Sequence, residues 1–100
     1  MRNIVLLCNM GMSTSLMVKR MCQAAEAQGY EIKCAAYPFA DAAKYVYDAD
    51  SVLVGPQIAF EVPNLEKKYA GVKFEAINMQ DYGRMNGEKV LNRVKQVLGD

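Results

Sequence analysis

Cys8 is followed by Asn9-Met10-Gly11-Met12-Ser13-Thr14-Ser15, a thiol, then a glycine, then a run of hydroxyls. A thiolate is a strong nucleophile and also a competent leaving group, so a cysteine in this position suits covalent group transfer. If Thr14 and Ser15 open a helix, its first N–H groups lack intrahelical partners and carry partial positive charge. That environment favours the thiolate of Cys8. The same N–H groups can cradle a phosphoryl group attached to the sulfur. Gly11 allows the backbone angles such a loop needs, and the hydroxyls of Ser13, Thr14 and Ser15 can donate to the anion or cap the helix. Plainer readings stand beside this one. A cysteine ending a buried strand can be a small core residue, and Ser-Thr-Ser before a helix can be capping alone.

The rest of the composition narrows the chemistry. The chain has no histidine, which removes the usual general base, the commonest metal ligand and any phosphohistidine of its own. Three cysteines, with no C-x-x-C pair, make neither a closed disulfide framework nor a zinc site, so no metal and no cofactor is expected. Cys22 and Cys34 fall at positions expected to face the core. The net charge of +1 argues against nucleic acid as a partner. No apolar run is long enough to span a bilayer, and the apolar part of the opening stretch is too short for a secretory signal. A soluble, cytosolic protein with reduced thiols is expected, any membrane work belonging to another chain.

The elements that must position Cys8 alternate strand and helix. Ile4–Cys8 is a continuous apolar run, as in a strand buried on both faces. A helix follows to about Gln28, with Val18, Met21, Cys22 and Ala25 facing the core and Gly29 as its cap. Glu31–Ala36 reads as a strand and Phe39–Tyr47 as a short helix entered near Pro38. Ser51–Val54 is a third strand stopped by Gly55-Pro56, with a turn over Gln57–Val62 and a helix from Pro63 to about Tyr69. Lys73–Ile77 is the fourth strand, then a loop carrying Asp81, Tyr82 and Gly83. The last helix starts near Asn86, with Val90, Leu91, Val94, Val97 and Leu98 as its buried stripe.

This pattern predicts an α/β fold, a single domain over residues 1–100 with a four-stranded parallel sheet covered by helices on both faces. Ligands of such sheets sit beyond the carboxyl ends of the strands, where Cys8 falls. Strand-end loops gather on one side, so Met10, Met12, Pro38, Phe39, Ile58 and Phe60 are candidates for a rim that meets partners. Core packing is an equal reading for Phe39 and Phe60, and loop packing for the methionines. Gln57 and Tyr82 can hydrogen-bond the loop or serve as turn residues. Lys19 and Arg20 are expected in solvent, and a monomer is expected because no face looks surplus to one core.

The loop Cys-x-x-Gly-Met-Ser-Thr-Ser resembles that of the IIB component of the bacterial phosphoenolpyruvate-dependent sugar phosphotransferase system, in its lactose/cellobiose/diacetylchitobiose family. Val54-Gly55-Pro56-Gln57-Ile58-Ala59 and Asp81-Tyr82-Gly83 extend the resemblance, which covers essentially the whole chain. It implies that Cys8 accepts a phosphoryl group from a phosphohistidine of a IIA protein. Phosphocysteine then phosphorylates a sugar bound by the membrane IIC component, a β-linked disaccharide such as cellobiose or diacetylchitobiose.

The loop also resembles the phosphate-binding loop of low-molecular-weight tyrosine phosphatases. Those carry Cys, five residues, then Arg, and the Arg position here is Thr14. Without that bidentate guanidinium, and with Asp81 as the one late acidic candidate, a small cysteine-dependent phosphatase is the alternative reading. A non-catalytic anion- or flavin-binding module is a second alternative and a thiol redox protein a third.

Overall fold

The computed structural model describes residues 1–9 and 12–100; Met10 and Gly11, and the side chains of Met12 and Ser13, lie outside the described residues. The expected roles of Met10 and Gly11, and of the Met12 and Ser13 side chains, therefore fall outside the described residues.

Four parallel strands form one sheet in the order β2-β1-β3-β4. They are β1 (Arg2–Cys8), β2 (Ile32–Pro38), β3 (Ser51–Val54) and β4 (Phe74–Ala76). Strand β1 is central, and successive side chains point to opposite faces. Ile4 and Leu6 enter one core with Met17, Met21, Leu91 and Val94. Val5 and Leu7 enter the other with Val46, Ile58, Leu65 and Tyr69. This two-sided burial is why β1 reads as an unbroken apolar run.

Helix α1 (Met12–Ala27) and helix α5 (Gly87–Leu98) cover the first face. The second is covered by α2 (Ala42–Tyr45), α3 (Val62–Lys68) and the 3-10 turns flanking α2 and preceding α3. The expected helix over Phe39–Tyr47 is thus broken into short pieces, and Pro38 is the last residue of β2. Helices α1 and α5 approach so closely that a Cβ on Gly87 would lie 2.5 Å from the Arg20 carbonyl carbon and 2.6 Å from the Met21 nitrogen. Only glycine permits that contact.

Further expectations fail at Cys22 and at Asp81-Tyr82-Gly83. Cys22 is exposed, not in the core. The buried stripe of α1 runs Met17, Met21, Ala25 at a spacing of four, with Val18 and Ala24 on its flanks. The second concerns Asp81-Tyr82-Gly83, which is not a loop. It belongs to the one-turn helix α4 (Met79–Gly83). Asn78 caps it, its Oδ1 accepting from the N–H groups of Gln80 at 2.9 Å and Asp81 at 3.1 Å. At the other end the N–H of Asn86 donates to the carbonyl of Asp81 (2.8 Å) and that of Met85 to Tyr82 (3.0 Å). This closure puts Met85 at φ 52°, where glycine is usual. A side chain there costs about 1–2 kcal/mol, which the packing of Met85 against the α5 core helps offset.

Candidate functional site

The chain runs from β1 to β2 on one side, then returns to β3 on the other, so strand order switches between β1 and β3. Crevices for ligands form at the carboxyl ends of strands at such a point. Cys8 ends β1 there, and the N–H of Gly55 donates to the carbonyl of Leu7 at 3.0 Å across the switch. A Cβ on Gly55 would meet Gln57 Oε1 at 3.2 Å, so the Gln57 side chain folds back over this strand end.

Cys8 is half-buried, and its thiol donates a weak hydrogen bond to the carbonyl of Tyr37 at 3.8 Å. Pro38 pairs with it in register and, having no N–H, ends the ladder beside the sulfur. Helix α1 begins only a few residues later, at Met12. Any helix leaves its first four N–H groups without intrahelical acceptors, so those of Met12–Ser15 carry unpaired donors and partial positive charge a few residues along the chain from Cys8. Asn9 and Ser15 are exposed. Thr14 is buried at 3% exposure, and its hydroxyl lies 3.2 Å from the hydroxyl of Tyr82, itself buried. Either oxygen can donate in that pair. Thr14 occupies the place where the phosphatase loop carries its guanidinium, so its side chain contributes a neutral group at that place.

The candidate rim divides. Phe60 is 72% exposed. Phe39 is half-buried against the second core, and Pro38 is half-buried at the end of β2. Ile58 is a correction: it is buried in the second core, so it supports the strand end from beneath and offers no docking surface. Lys19 and Arg20 are exposed, as expected.

The other two thiols are remote from this chemistry. Cys34 pairs in register with Ile4, four residues before Cys8. At about 3.3 Å per residue that is about 13 Å along the sheet, well beyond the roughly 7 Å between Cα atoms that a disulfide spans. Burial, followed by the neighbouring Cys22, pushes the Cys34 thiol up to about 12. Cys34 is therefore inert at neutral pH, which counts against the redox reading.

A cleft of about 310 Å³ lies beside β4 and α5, lined by Leu53, Ile77, Val90, Asp81, Glu75 and Arg93 among others. Arg93 Nε donates to Glu75 Oε1 at 2.6 Å in this region. Cys8 is not part of it. Among the described residues, no cluster of three or more His, Cys, Asp or Glu side chains could hold a metal ion. No described helix is long and apolar enough to cross a membrane.

Comparison with known proteins agrees with this geometry. The sequence model of the family described as "PTS system, Lactose/Cellobiose specific IIB subunit" matches residues 3–93. The galactose-specific EIIB component of Lactococcus lactis subsp. cremoris (strain MG1363) is 39% identical over 95% of this chain and 94% of that protein. The oligo-beta-mannoside-specific EIIB component of Bacillus subtilis (strain 168) is 34% identical over 98% of this chain and 97% of its own length. Among solved structures, the cellobiose-specific phosphotransferase IIB component of Borrelia burgdorferi superposes with a TM-score of 0.81. It is 36% identical and covers 98% of this chain and 92% of that one. The lactose-specific IIB domain of Streptococcus pneumoniae shares the fold at a TM-score of 0.83 with 12% identity, covering 95% of each chain. With its first strand ending in Cys8 at the switch of a β2-β1-β3-β4 sheet, this chain belongs to the lactose/cellobiose-specific IIB family, the sugar-specific EIIB components of the phosphotransferase system.

Proposed function

We propose that Cys8 is a transient phosphoryl carrier between a IIA protein and a sugar. The observation that carries this is the position of a half-buried thiol at the end of the central strand, immediately ahead of the start of α1. Membership of the IIB family supports the direction of transfer. The Cys8 thiolate attacks phosphorus of a IIA phosphohistidine, so an S–P bond forms as the N–P bond breaks and the imidazole leaves. Backbone N–H groups of the loop and of the first turn of α1 balance the charge of the bound phosphoryl group. In the second step a sugar hydroxyl oxygen attacks the same phosphorus. The O–P bond forms, the S–P bond breaks, the thiolate departs, and the hydroxyl proton passes to a base at the sugar site.

The sugar is held by a membrane IIC component, which places this domain, residues 1–100, at the cytoplasmic face of the membrane during transfer. A relative named for cellobiose supports a β-linked disaccharide as the sugar class, and one named for oligo-beta-mannoside supports the β-linkage. The domain acts as a monomer, and its contacts with IIA and IIC are made in turn through the rim that includes Phe60 and Phe39, together with Met10 and Met12. Such contacts are small and brief.

The neutral Thr14 supports a carrier over a phosphatase, because nothing in the described loop clamps the phosphoryl oxygens with a guanidinium. The phosphoenzyme is therefore expected to wait for an acceptor. Intact mass after incubation with a phosphorylated lactose/cellobiose-family IIA protein tests the assignment. One phosphoryl group on the wild type and none on Cys8→Ser is the expected result. Rapid turnover of an aryl phosphate by the isolated chain would move the assignment to the phosphatase reading.

A further inference from the structure

We propose that Tyr82 is a positioning residue for phosphoryl transfer, acting on the Cys8 loop through the hydroxyl of Thr14. The inference rests on the carrier reading of Cys8 and adds a part that the loop itself does not contain.

Strand β4 is separated from β1 by β3, so nothing in the sheet brings the end of β4 to the loop after β1. Helix α4 makes that connection. It is a single turn, and Tyr82 is its one buried residue. A helix this short has little stability of its own. It is nevertheless fixed at both ends, by the Asn78 side chain at its start and by the left-handed Met85 at its close. The carbonyl of Tyr82 accepts from Met85, and its N–H donates to the carbonyl of Asn78 at 2.9 Å. The backbone that carries the phenol is thus held directly by both caps. The ring enters the first core beside Met17, Met21 and Leu91, and its hydroxyl meets Thr14.

Thr14 lies in the first turn of α1, whose N–H groups lack intrahelical acceptors and which begins within a few residues of Cys8 in the chain. A hydrogen bond to a fixed phenol restrains that turn in rotation as well as in depth. Both hydroxyls are buried, so the bond has little competition from water. Either oxygen can be the donor. When Tyr82 donates, the Thr14 proton is released for another acceptor, so one pair can serve the loop both before and after it carries a charge.

The test is a double-mutant cycle on Tyr82→Phe and Thr14→Val, each of which keeps the buried shape. Transfer from a phosphorylated lactose/cellobiose-family IIA protein is followed by rapid quench over a range of donor concentrations. Each single variant should lower the rate at saturating donor about tenfold and leave the half-saturating donor concentration unchanged. The double variant should be no slower than the singles, and Thr14→Ser should restore most of the wild-type rate. Thermal unfolding of each variant is measured alongside; Tyr82→Phe, which removes only the phenolic oxygen, carries the test if Thr14→Val unfolds. A Tyr82→Phe rate equal to wild type overturns the inference, as does a change confined to half-saturation, which would make Tyr82 a docking residue. Multiplying effects in the double variant would show the hydroxyls acting separately and overturn it too. These results leave the wild-type adduct on Cys8 intact, whereas a wild type that accepts no phosphoryl group removes the carrier reading itself and this inference with it.

Discussion

The two ends of the sheet are built from different materials. At the amino ends of the strands, charge does the tying. Arg2 donates from Nε and Nη2 to the Asp100 carboxylate at 2.8 and 2.9 Å, and its Nη1 lies 3.6 Å from Asp50 Oδ1. Asp50 Oδ2 also accepts from the N–H of Asn3 at 2.7 Å, and Tyr30 donates its hydroxyl proton to Asp100. Lys95 sits 4.7 Å over the Tyr30 ring. At the carboxyl end of β1, the Cys8–Tyr37 and Thr14–Tyr82 hydrogen bonds join neutral groups. A domain that must hold a phosphoryl group and then release it gains from this separation. A fixed guanidinium near Cys8 would deepen the bound state, whereas N–H dipoles hold an anion with less commitment.

The comparison breaks most clearly at Cys8. Cys8→Ser should abolish phosphoryl uptake, read by intact mass, while the unfolding free energy from urea titration changes by no more than about 0.5 kcal/mol. A large loss of stability would mean that the thiol is a packing residue and that the two ends are not independent.

Gly87→Ala should show the next largest effect, because it forces apart α1 and α5, the helices common to both ends. The new Cβ meets backbone atoms of Arg20 and Met21, which cannot rotate away. Overpacking of this kind costs about 1–3 kcal/mol. Denaturant unfolding should register that loss, and transfer should slow because the start of α1 moves with the rest of the helix.

A smaller effect isolates the charged end. The hydrogen bond from Arg2, with that from Tyr30, lowers the Asp100 carboxyl from 3.8 to about 2. The unfolded chain therefore takes up this proton at higher pH than the folded one. The contribution is present above about pH 4 and drains away as pH falls towards 2. Asp100→Asn should lower the melting temperature modestly at pH 7 and flatten its fall below pH 4, with phosphoryl uptake at pH 7 unchanged. Altered uptake would show that the charged end reaches the loop.

The smallest perturbation is chemical labelling. Iodoacetamide at neutral pH, followed by peptide mapping, should modify Cys8 and the exposed Cys22 well before Cys34. Equal labelling of Cys34 would mean that the layer between α1 and β2 opens readily.

Much of this arrangement is legible in the sequence because its signals are local. The apolar run before Cys8, the Gly55-Pro56 stop and the Asn86 cap each rest on a few adjacent residues, and the strands and long helices follow. The misplacement of Cys22 has a physical source. Helix α1 carries small and weakly polar residues on several sides, so its stripe can be drawn through Cys22 or, correctly, through Met17. Ile58 falls within the expected turn over Gln57–Val62 and so reads as rim, yet its side chain is buried in the second core. Helix α4 is too short to show a period, and Asn78 before it was the available signal as a cap. The Thr14–Tyr82 contact joins residues 68 apart in sequence. No local pattern encodes such a meeting, which depends on how β4 returns across the sheet.

The central place of β1 also sets a hierarchy of opening times. Its residues Ile4–Leu7 are hydrogen-bonded to neighbours on both sides and lie at the junction of both cores. Amides so placed exchange with solvent only when most of the molecule opens. The outer strand β4 can therefore breathe many times while the end of β1 keeps its place. The sulfur inherits the lifetime of the slowest-exchanging segment, although it sits at that segment's surface-facing tip.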